Sequence, residues 1–444
     1  MKRLVCLCSF ALAALASFGE ITWNKPCFAG GTDKDPLSYK VGEEIVFTFN
    51  VVDLEAEVNK ADFDIKWDFW TDDGQTGSGK TTLTTDPITV KTTLSKPGFV
   101  RVVASVVDKK GRKVRRQKPG YSDSTVEFFG GAAAEPEKLQ GVAEPADFDQ
   151  FWARQKAALK AVPMTADVKE IKTFKNGTVY AVSIACAGPR PVTGYLSVPA
   201  GAKEGKKYPA LLTTHGYGTR SHQPPSGISS DVLSLNINAH GQKLGEHESF
   251  YTNFFESIKS VGANGQKLGY ALGAKEHPDA ASAANCFFAG MTWRVMRALE
   301  YLKSRPEWNG KDLSAAGGSQ GGLQTIWAAS LDGQVTVANS GITWCCDMGG
   351  NATLGRVKKS WGVEWTPAMD YFDPIFLCKR IPKTCTVTIT RAGLGDYTCP
   401  PSGLAILYNN MTCPKKAIWM QNSTHGYQPP MKYRKTYTVE APAK

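Results

Sequence analysis

The sequence predicts two folded units, an all-β unit followed by a larger α/β unit with a mostly parallel sheet. The chain has 444 residues, of which 42% are hydrophobic and 21% are charged, as in ordinary globular proteins of two domains. Before about residue 130, short β-branched and aromatic segments alternate with turn signals. After it, strand patterns alternate with amphipathic helix patterns, which is typical of α/β domains.

Residues 1–19 predict a cleaved secretory signal. Lys2 and Arg3 precede an apolar run at residues 4–15, and small residues at 14–19 offer cleavage sites. No apolar run reaches the roughly 18 residues of a membrane span. We therefore expect a secreted or periplasmic protein without a membrane span.

The charge balance does not indicate a nucleic-acid partner. Lys and Arg total 52 against 41 Asp and Glu, which gives a formal net charge of +11. This charge is spread thinly along the chain, and the densest basic run covers only residues 109–116. We expect no nucleic-acid binding.

Nine cysteines remain after the predicted leader. Export permits disulfides, but an odd number leaves at least one thiol outside intramolecular bridges. We expect mostly small buried side chains with one or two bridges. The chain contains no Cys-x-x-Cys motif, so the cysteines do not indicate a zinc site.

Residues 20–130 predict an immunoglobulin-like β-sandwich. Strand patterns at 44–51, 64–69 and 99–107 are separated by turn signals such as those at 72–74 and 96–98. About seven short strands in some 110 residues are typical of that sandwich. The Gly- and Ala-rich segment 130–136 then predicts a linker.

Residues 131–444 predict the α/β unit. Helices are expected at residues 147–159, 285–304 and 320–330. Strands are expected near residues 180–186, 192–198, 209–214, 232–238, 315–316, 334–339, 384–390 and 416–421.

The strongest chemical signal is Gly-Gly-Ser-Gln-Gly at residues 317–321. It lies between a predicted strand and a predicted helix, where a Gly-x-Ser-x-Gly turn exposes a nucleophilic serine above the sheet. Glycines beside the serine remove collisions with neighbouring backbone. Ser319 is therefore the predicted nucleophile.

A serine needs a base and an orienting acid. In this class of turn the acid and then the histidine follow the serine in the chain, and His425 is the single histidine after Ser319. Asp396 lies between them, beyond the strand predicted at 384–390. Asp332, Asp347, Asp370 and Asp373 compete for the role of acid, but none lies at a strand end in that place.

The same pattern predicts two backbone donors for an oxyanion. The amide of Gln320 opens the predicted helix, whose N-terminal end attracts negative charge. A flexible His-Gly-Tyr-Gly turn at residues 215–218 follows the strand at 209–214, and we expect the second donor at Tyr217.

Taken together, these motifs resemble the family 7 carbohydrate esterases, which comprise acetyl xylan esterases and cephalosporin C deacetylases. The resemblance covers roughly residues 137–430 and rests on the segments at 145–152, 215–217, 318–322, 371–374, 393–396 and 399–401. It implies an α/β-hydrolase that removes acetyl groups from sugar hydroxyls without a metal or other cofactor. The implied triad is Ser319, Asp396 and His425, with Tyr217 and Gln320 at the oxyanion.

Two positions depart from the family pattern. His240 opens a His-Gly-Gln-Lys segment where the family has Arg-Gly-Gln-Gly, and Gly426 follows His425 where the family has Glu. The acyl size limit and the oligomeric state therefore stay open. A serine exopeptidase, an esterase for larger acyl groups and a non-catalytic glycan-binding protein are the alternative interpretations.

Overall fold

The computed structural model describes residues 22–23, 25–116, 125–219, 221–261, 267–270, 279–354, 356 and 365–443. The leader predicted at residues 1–19 lies outside them. Within the described residues, no helix is both long and apolar enough to cross a bilayer.

The first part of the chain is all-β. Its strands are β1 Thr22–Trp23, β2 Cys27–Thr32, β3 Ile45–Val52, β4 Phe63–Thr71, β5 Thr76–Thr82, β6 Ile88–Thr92, β7 Gly98–Asp108, β8 Arg115–Arg116 and β9 Glu127–Ala134. Strands β2-β3-β6 form one antiparallel sheet and β5-β4-β7-β9 form another. Both sheets contribute to one buried cluster that includes Phe28, Phe47 and Phe128. Alternation explains the strands, since every second residue of β3 from Ile45 is buried.

The predicted linker at 130–136 is wrong for its first five residues. Strand β9 continues through Ala134 and pairs with β7, with Gly98 opposite Ala134. The small residues that indicated a linker instead allow β9 to pack closely against the rest of the chain, and every residue of β9 is buried. The immunoglobulin-like class and the domain boundaries stay predictions.

The second part of the chain is built on one ten-stranded mixed sheet. Its strands are β10 Ala166–Phe174, β11 Gly177–Ile184, β12 Val192–Pro199, β13 Tyr208–Thr214, β14 Leu233–Asn238, β17 Trp308–Gly318, β18 Val337–Gly341, β19 Thr386–Gly393, β20 Lys415–Met420 and β21 Thr436–Ala441. A separate hairpin joins β15 Lys259–Val261 to β16 Lys267–Tyr270.

The sheet order is β10-β11-β12-β14-β13-β17-β18-β19-β20-β21. Its central strands from β14 to β20 are parallel, as predicted, whereas β10, β11, β12 and β21 add antiparallel edges. Parallel order brings the carboxyl ends of β13, β17, β19 and β20 to one edge. Ligands of open α/β sheets bind at that kind of edge.

Seven α-helices belong to the described part of this unit. They are α1 Phe148–Lys160, α2 Glu248–Ile258, α3 Phe287–Ser304, α4 Gln320–Leu331, α5 Met348–Leu354, α6 Pro374–Leu377 and α7 Pro401–Asn410. Helix α4 is buried along its whole length, as expected of a helix that follows a central strand. It packs on β13, β17 and β18 and so fixes the turn that precedes it.

The expected disulfides are not found in the described residues. The eight cysteines from Cys186 to Cys413 form no bridge with one another. All of them except Cys186 are buried, so they pack as small apolar side chains. The prediction of buried thiols is confirmed, and the prediction of one or two bridges is wrong for these eight.

Candidate active site

Ser319 lies in the turn between β17 and α4 with an unusual backbone conformation. Its φ is 58° and its ψ is −120°, a region that residues with a side chain rarely adopt. The turn is fixed on both sides, because the Ser319 N–H donates to the Gly341 carbonyl at 2.7 Å and the Ser319 carbonyl accepts from Leu323 N–H at 3.0 Å. A strained serine between a strand and a helix is the geometry of a nucleophile elbow.

Two glycines allow this turn to pack. A Cβ on Gly317 would lie 2.5 Å from Thr214 Oγ1, and one on Gly321 would lie 2.4 Å from the Thr214 carbonyl oxygen. Real Cβ atoms do not approach oxygen that closely, so any side chain would push the turn away from β13. The steric reason for this glycine pattern is therefore visible in the packing.

Asp396 and His425 are brought together by two neighbouring parallel strands. Asp396 follows β19 and His425 follows β20, so both lie at the carboxyl edge of the sheet. His425 Nδ1 is 3.1 Å from Asp396 Oδ2. The other carboxylate oxygen accepts the backbone N–H groups of Thr398 and Cys399 at 2.9 and 3.0 Å. Asp396 is fully buried, whereas the His425 side chain is 30% exposed. A buried carboxylate thus orients a reachable imidazole.

Cys399 is a neighbour of this pair that the sequence analysis did not include in the site. Its Sγ is 3.7 Å from His425 Nδ1. Burial, and then the charge of Asp396, raise the pKa of the Cys399 thiol well above its ordinary value, while a hydrogen bond with the Ser319 side chain acts in the opposite direction. Cys399 is therefore a neutral thiol. Its position three residues after Asp396, in the turn that the carboxylate closes, was the signal available in the sequence.

The Ser319 side chain lies close enough to Cys399 to lower the pKa of that thiol. Within the described residues, no hydrogen bond joins the Ser319 hydroxyl to the His425 imidazole. His425 contacts the same thiol, so the serine and the imidazole both lie near Cys399 at the carboxyl end of the sheet. Hydrogen bonds of a catalytic site are often long or misaligned without substrate and tighten when substrate binds.

The two predicted oxyanion donors flank the serine. Gln320 is the first residue of α4, where backbone N–H groups have no acceptor within the helix. Tyr217 belongs to the turn after β13, the strand beside β17. A Cβ on Gly216 would lie 3.7 Å from the Gly318 carbonyl oxygen, so this turn lies against the elbow. The Tyr217 ring packs edge-on against Trp344, with ring centroids 5.7 Å apart.

Three other histidines form a cluster behind the Tyr217 turn. His215 Nε2 accepts the Ala239 N–H at 3.0 Å and its Nδ1 lies 2.6 Å from the Gly216 carbonyl, which fixes the neutral tautomer with hydrogen on Nδ1. Burial lowers the pKa of His222 to about 4 and that of His240 well below its ordinary value. These imidazoles are neutral structural groups, so none of the three competes with His425 as a base oriented by an acid.

The competing carboxylates have structural roles. Asp373 caps α6 through the Ile375 N–H and also accepts the N–H groups of Asp347 and Met348. Asp347 in turn forms an ion pair with Arg356 at 2.8 Å. Asp373 thus caps a helix, and Asp396 is the carboxylate beside His425.

Asp396, Cys399 and His425 are also the described side chains that could hold a metal ion. One ligand atom from each lies within 4.8 Å of the others. Two of these groups, the Asp396 carboxylate and the His425 imidazole, also form the 3.1 Å contact described above.

Comparison with known proteins identifies the family. The model of the acetyl xylan esterase (AXE1) family matches residues 138–441. Acetyl esterase Axe7A from Xylanibacter ruminicola is 27% identical over 359 residues, which are 77% of this chain and 74% of that protein.

Two solved acetyl xylan esterases share the fold. The enzyme from Paenibacillus sp. R4 is 22% identical, with a TM-score of 0.52 over 66% of this chain and 94% of its own. The enzyme from Thermoanaerobacterium sp. JW/SL YS485 is 20% identical, with a TM-score of 0.51 over 67% of this chain and 94% of its own. These likenesses establish an α/β-hydrolase fold for the second unit. Because the family match spans more than half of its length, the chain belongs to the acetyl xylan esterase family and is a carboxylic ester hydrolase.

Proposed function

We propose that this esterase removes acetyl groups from acetylated xylan or related sugars through a triad of Ser319, His425 and Asp396. The observation that carries the proposal is the 3.1 Å contact between His425 and a fully buried Asp396, beside a serine held in an elbow. Family membership supports an acetylated carbohydrate as the substrate.

In the proposed mechanism, the Ser319 hydroxyl attacks the acetyl carbonyl carbon. His425 takes the hydroxyl proton, and Asp396 stabilises the imidazolium that results. The backbone N–H groups of Tyr217 and Gln320 donate to the carbonyl oxygen as it becomes negative. His425 then returns the proton to the sugar oxygen, which leaves as a hydroxyl.

The second half of the cycle hydrolyses the acetyl-enzyme. His425 deprotonates a water molecule that attacks the same carbonyl, and acetate leaves as Ser319 regains its proton. The Ser319 hydroxyl has to point toward the imidazole for this proton transfer. Both side chains lie near the Cys399 thiol, so rotation of side chains achieves this without a change of fold.

Acetate release tests the proposal directly. We expect the wild-type protein to release acetate from acetylated xylan and to hydrolyse p-nitrophenyl acetate, and we expect Ser319→Ala to fall to background in both assays. A Ser319→Ala variant as active as the wild type would contradict the assignment of the nucleophile.

A substrate panel separates the alternative functions. Cleavage of aminoacyl naphthylamides without cleavage of acetyl esters would favour an exopeptidase, and faster cleavage of longer acyl esters would favour a larger-acyl esterase. A non-catalytic glycan-binding protein would leave Ser319 unlabelled by a fluorophosphonate. We expect labelling at Ser319 and a preference for acetyl esters.

We also propose that the protein is exported and that its first unit is an immunoglobulin-like sandwich. Support for export is the charged and apolar pattern of residues 1–19. Two antiparallel sheets around one buried cluster support the sandwich. Intact-mass measurement of the protein purified from its host should show loss of the leader, and an unprocessed mass would contradict export.

A further inference from the structure

The loop that carries His425 is held by the first unit of the chain. Gln421 immediately follows β20 and is 1% exposed. Its Oε1 accepts the Gly131 N–H at 2.8 Å and its Nε2 donates to the Gly131 carbonyl at 2.9 Å. The Gln421 amide thus pairs with the β9 backbone as a neighbouring strand would.

Asn422 adds a second bridge to the same unit. Its Oδ1 accepts the Phe129 N–H of β9 at 2.9 Å, and its Nδ2 donates to the Phe28 carbonyl of β2 at 2.9 Å. One side chain therefore connects both sheets of the first unit to the His425 loop. Asn422 is 2% exposed and has a φ of 53°, a conformation that Asn and Gly tolerate best.

The loop that carries Asp396 contacts the same part of β9. A Cβ on Gly131 would lie 2.2 Å from the Leu394 carbonyl oxygen, and one on Gly395 would lie 2.5 Å from Phe129 Cβ. Such distances mean backbone packed against backbone. The Arg101 guanidinium of β7 also covers the Tyr397 ring, 4.4 Å from its centroid. The first unit thus contacts the residues on both sides of Asp396.

The two loops are also joined to each other. The Gly395 N–H donates to the Ser423 carbonyl at 3.0 Å, and the Leu394 N–H donates to the Met420 carbonyl at 2.9 Å. The two loops therefore share one hydrogen-bonded arrangement, and we expect loss of its contacts with the first unit to loosen the placement of both Asp396 and His425. These hydrogen bonds are buried, so losing one would leave a polar group without a partner and would lower the free energy of unfolding.

We propose that Gln421 and Asn422 are positioning residues through which the first unit fixes the Asp396–His425 pair in its catalytic geometry. This inference rests on the proposed function of that pair. It gives residues 22–134 a role in catalysis itself, although the family model begins only at residue 138. Misplacing a catalytic group by about 1 Å costs on the order of 100-fold in rate, so the effect should be measurable.

Two variants remove the bridges with little backbone strain. Asn422→Gly deletes both hydrogen bonds of Asn422 while glycine accepts the positive φ. Gln421→Met keeps the length of the side chain and deletes both hydrogen bonds to Gly131. We expect kcat for p-nitrophenyl acetate to fall about 10- to 100-fold in each variant, with KM within about 2-fold of the wild type.

Asn409→Ala is the matched control. Asn409 Nδ2 donates to the carbonyls of Pro136 and Leu139 at 2.9 and 3.2 Å, so it too bridges distant segments with two hydrogen bonds, which are partly buried. It lies at the end of α7, away from the two loops. We expect this variant to lose stability in urea but to keep kcat within about 2-fold of the wild type.

A spectroscopic measurement reports on the pair itself. The proton between His425 Nδ1 and Asp396 should give a low-field proton resonance in the wild type, which Asn422→Gly should shift or broaden while Asn409→Ala leaves it unchanged. If Asn422→Gly and Gln421→Met lower stability but leave kcat and this resonance unchanged, the bridges only stabilise the fold and the proposal is wrong.

The proposed function can be disproved independently of the positioning role of Gln421 and Asn422. A wild-type protein without esterase activity, or a Ser319→Ala variant that keeps it, would overturn the function. The low-field resonance would still test the positioning, because it depends on the Asp396–His425 contact and not on turnover. A wild-type resonance that Asn422→Gly removes would support the positioning even then.

Discussion

The Cys399 thiol contacts His425 at Nδ1, the same nitrogen that faces Asp396, with 3.7 Å between Sγ and Nδ1. The His425 imidazole therefore packs against a neutral thiol on the same side as its contact with the Asp396 carboxylate. A thiolate there would compete with Asp396 for the Nδ1 proton. Burial raises the pKa of Cys399 and prevents this competition.

Cys399 should resist alkylation in the folded enzyme. The thiolate is the reactive form, and Cys399 is both neutral and 1% exposed. We expect iodoacetamide at mildly alkaline pH to leave esterase activity unchanged while peptide mass spectrometry finds Cys399 unmodified. The urea-unfolded protein, as control, should be alkylated at Cys399. Rapid inactivation that parallels its alkylation would show that the thiol is ionised and reachable.

Replacing Asp396 by Asn should nearly abolish activity without unfolding the protein. The backbone N–H groups of Thr398 and Cys399 hold one side-chain oxygen in place, so the amide NH₂ would face His425 Nδ1. That contact favours the wrong imidazole tautomer. The neutral amide also lacks the negative charge that stabilises the imidazolium. We expect kcat to fall about 1,000- to 10,000-fold. Steady-state kinetics with urea unfolding as control checks this, and a loss below about 10-fold would rule out Asp396 as the acid.

Gly321→Ala should destabilise the elbow although alanine is the better helix former. A Cβ at this position would lie 2.4 Å from the Thr214 carbonyl oxygen, so α4 must move away from β13. We expect a loss of about 1–3 kcal/mol in the free energy of unfolding, and a lower kcat. Gly333→Ala is the control, because a Cβ at Gly333 meets no atom within 4 Å. Equal stability of the two variants would contradict the close packing of the turn.

Asp72 should make the protein less stable as the pH rises. Burial raises the pKa of Asp72 from 3.8 to about 6, against the opposing charges of Arg356 and Lys96 and with the repulsion of Asp347. The folded state thus keeps a proton between pH 4 and 6 that the unfolded state releases. The favourable contribution of protonated Asp72 is present below the unfolded pKa and is lost as the pH rises through the folded one.

Asp72→Asn should remove this dependence. The amide oxygen of Asn can still accept the Phe99 N–H, which Asp72 accepts at 2.9 Å. We expect the variant to match the wild type near pH 4 and to become more stable by on the order of 2–3 kcal/mol at neutral pH. Urea unfolding across this range measures the difference, with the exposed Asp86→Asn as control. A difference that does not change with pH would contradict the raised pKa of Asp72.

The order of elements in the second unit was predictable because its signals are local. The strand expected at 209–214 is β13 Tyr208–Thr214, and the helix expected at 320–330 is α4 Gln320–Leu331. Strand β10 was missed because eight of its nine residues are exposed, so its sequence lacks the apolar alternation of a half-buried strand. Helix α7 begins with Pro401 and carries apolar residues around much of its surface, which hides the helical period.

The site residues were predictable where chain order restricted the number of candidates. They were not predictable where side-chain packing determines which groups meet. His425 is the single histidine after Ser319, so its approach to Asp396 followed from order and strand position. The placement of Cys399 beside His425 depends on side-chain packing that no sequence pattern encodes. The bridge between Asn422 and Phe28 joins residues 394 positions apart, a separation at which local signals carry no information.

Phe99 stacks on Trp419, with ring centroids 5.7 Å apart. We therefore expect unfolding of the amino-terminal sheets to inactivate the enzyme. Trp419 lies in the strand that leads into Gln421 and Asn422. Disorder that begins around Phe99 therefore affects a strand that ends a few residues before His425. Heating, or proteolysis within the first 134 residues, should then abolish esterase activity while the side chains of Ser319, Asp396 and His425 are still chemically intact. We expect the thermal half-life of activity to be set by the first unit, a region in which no bond of the substrate is broken.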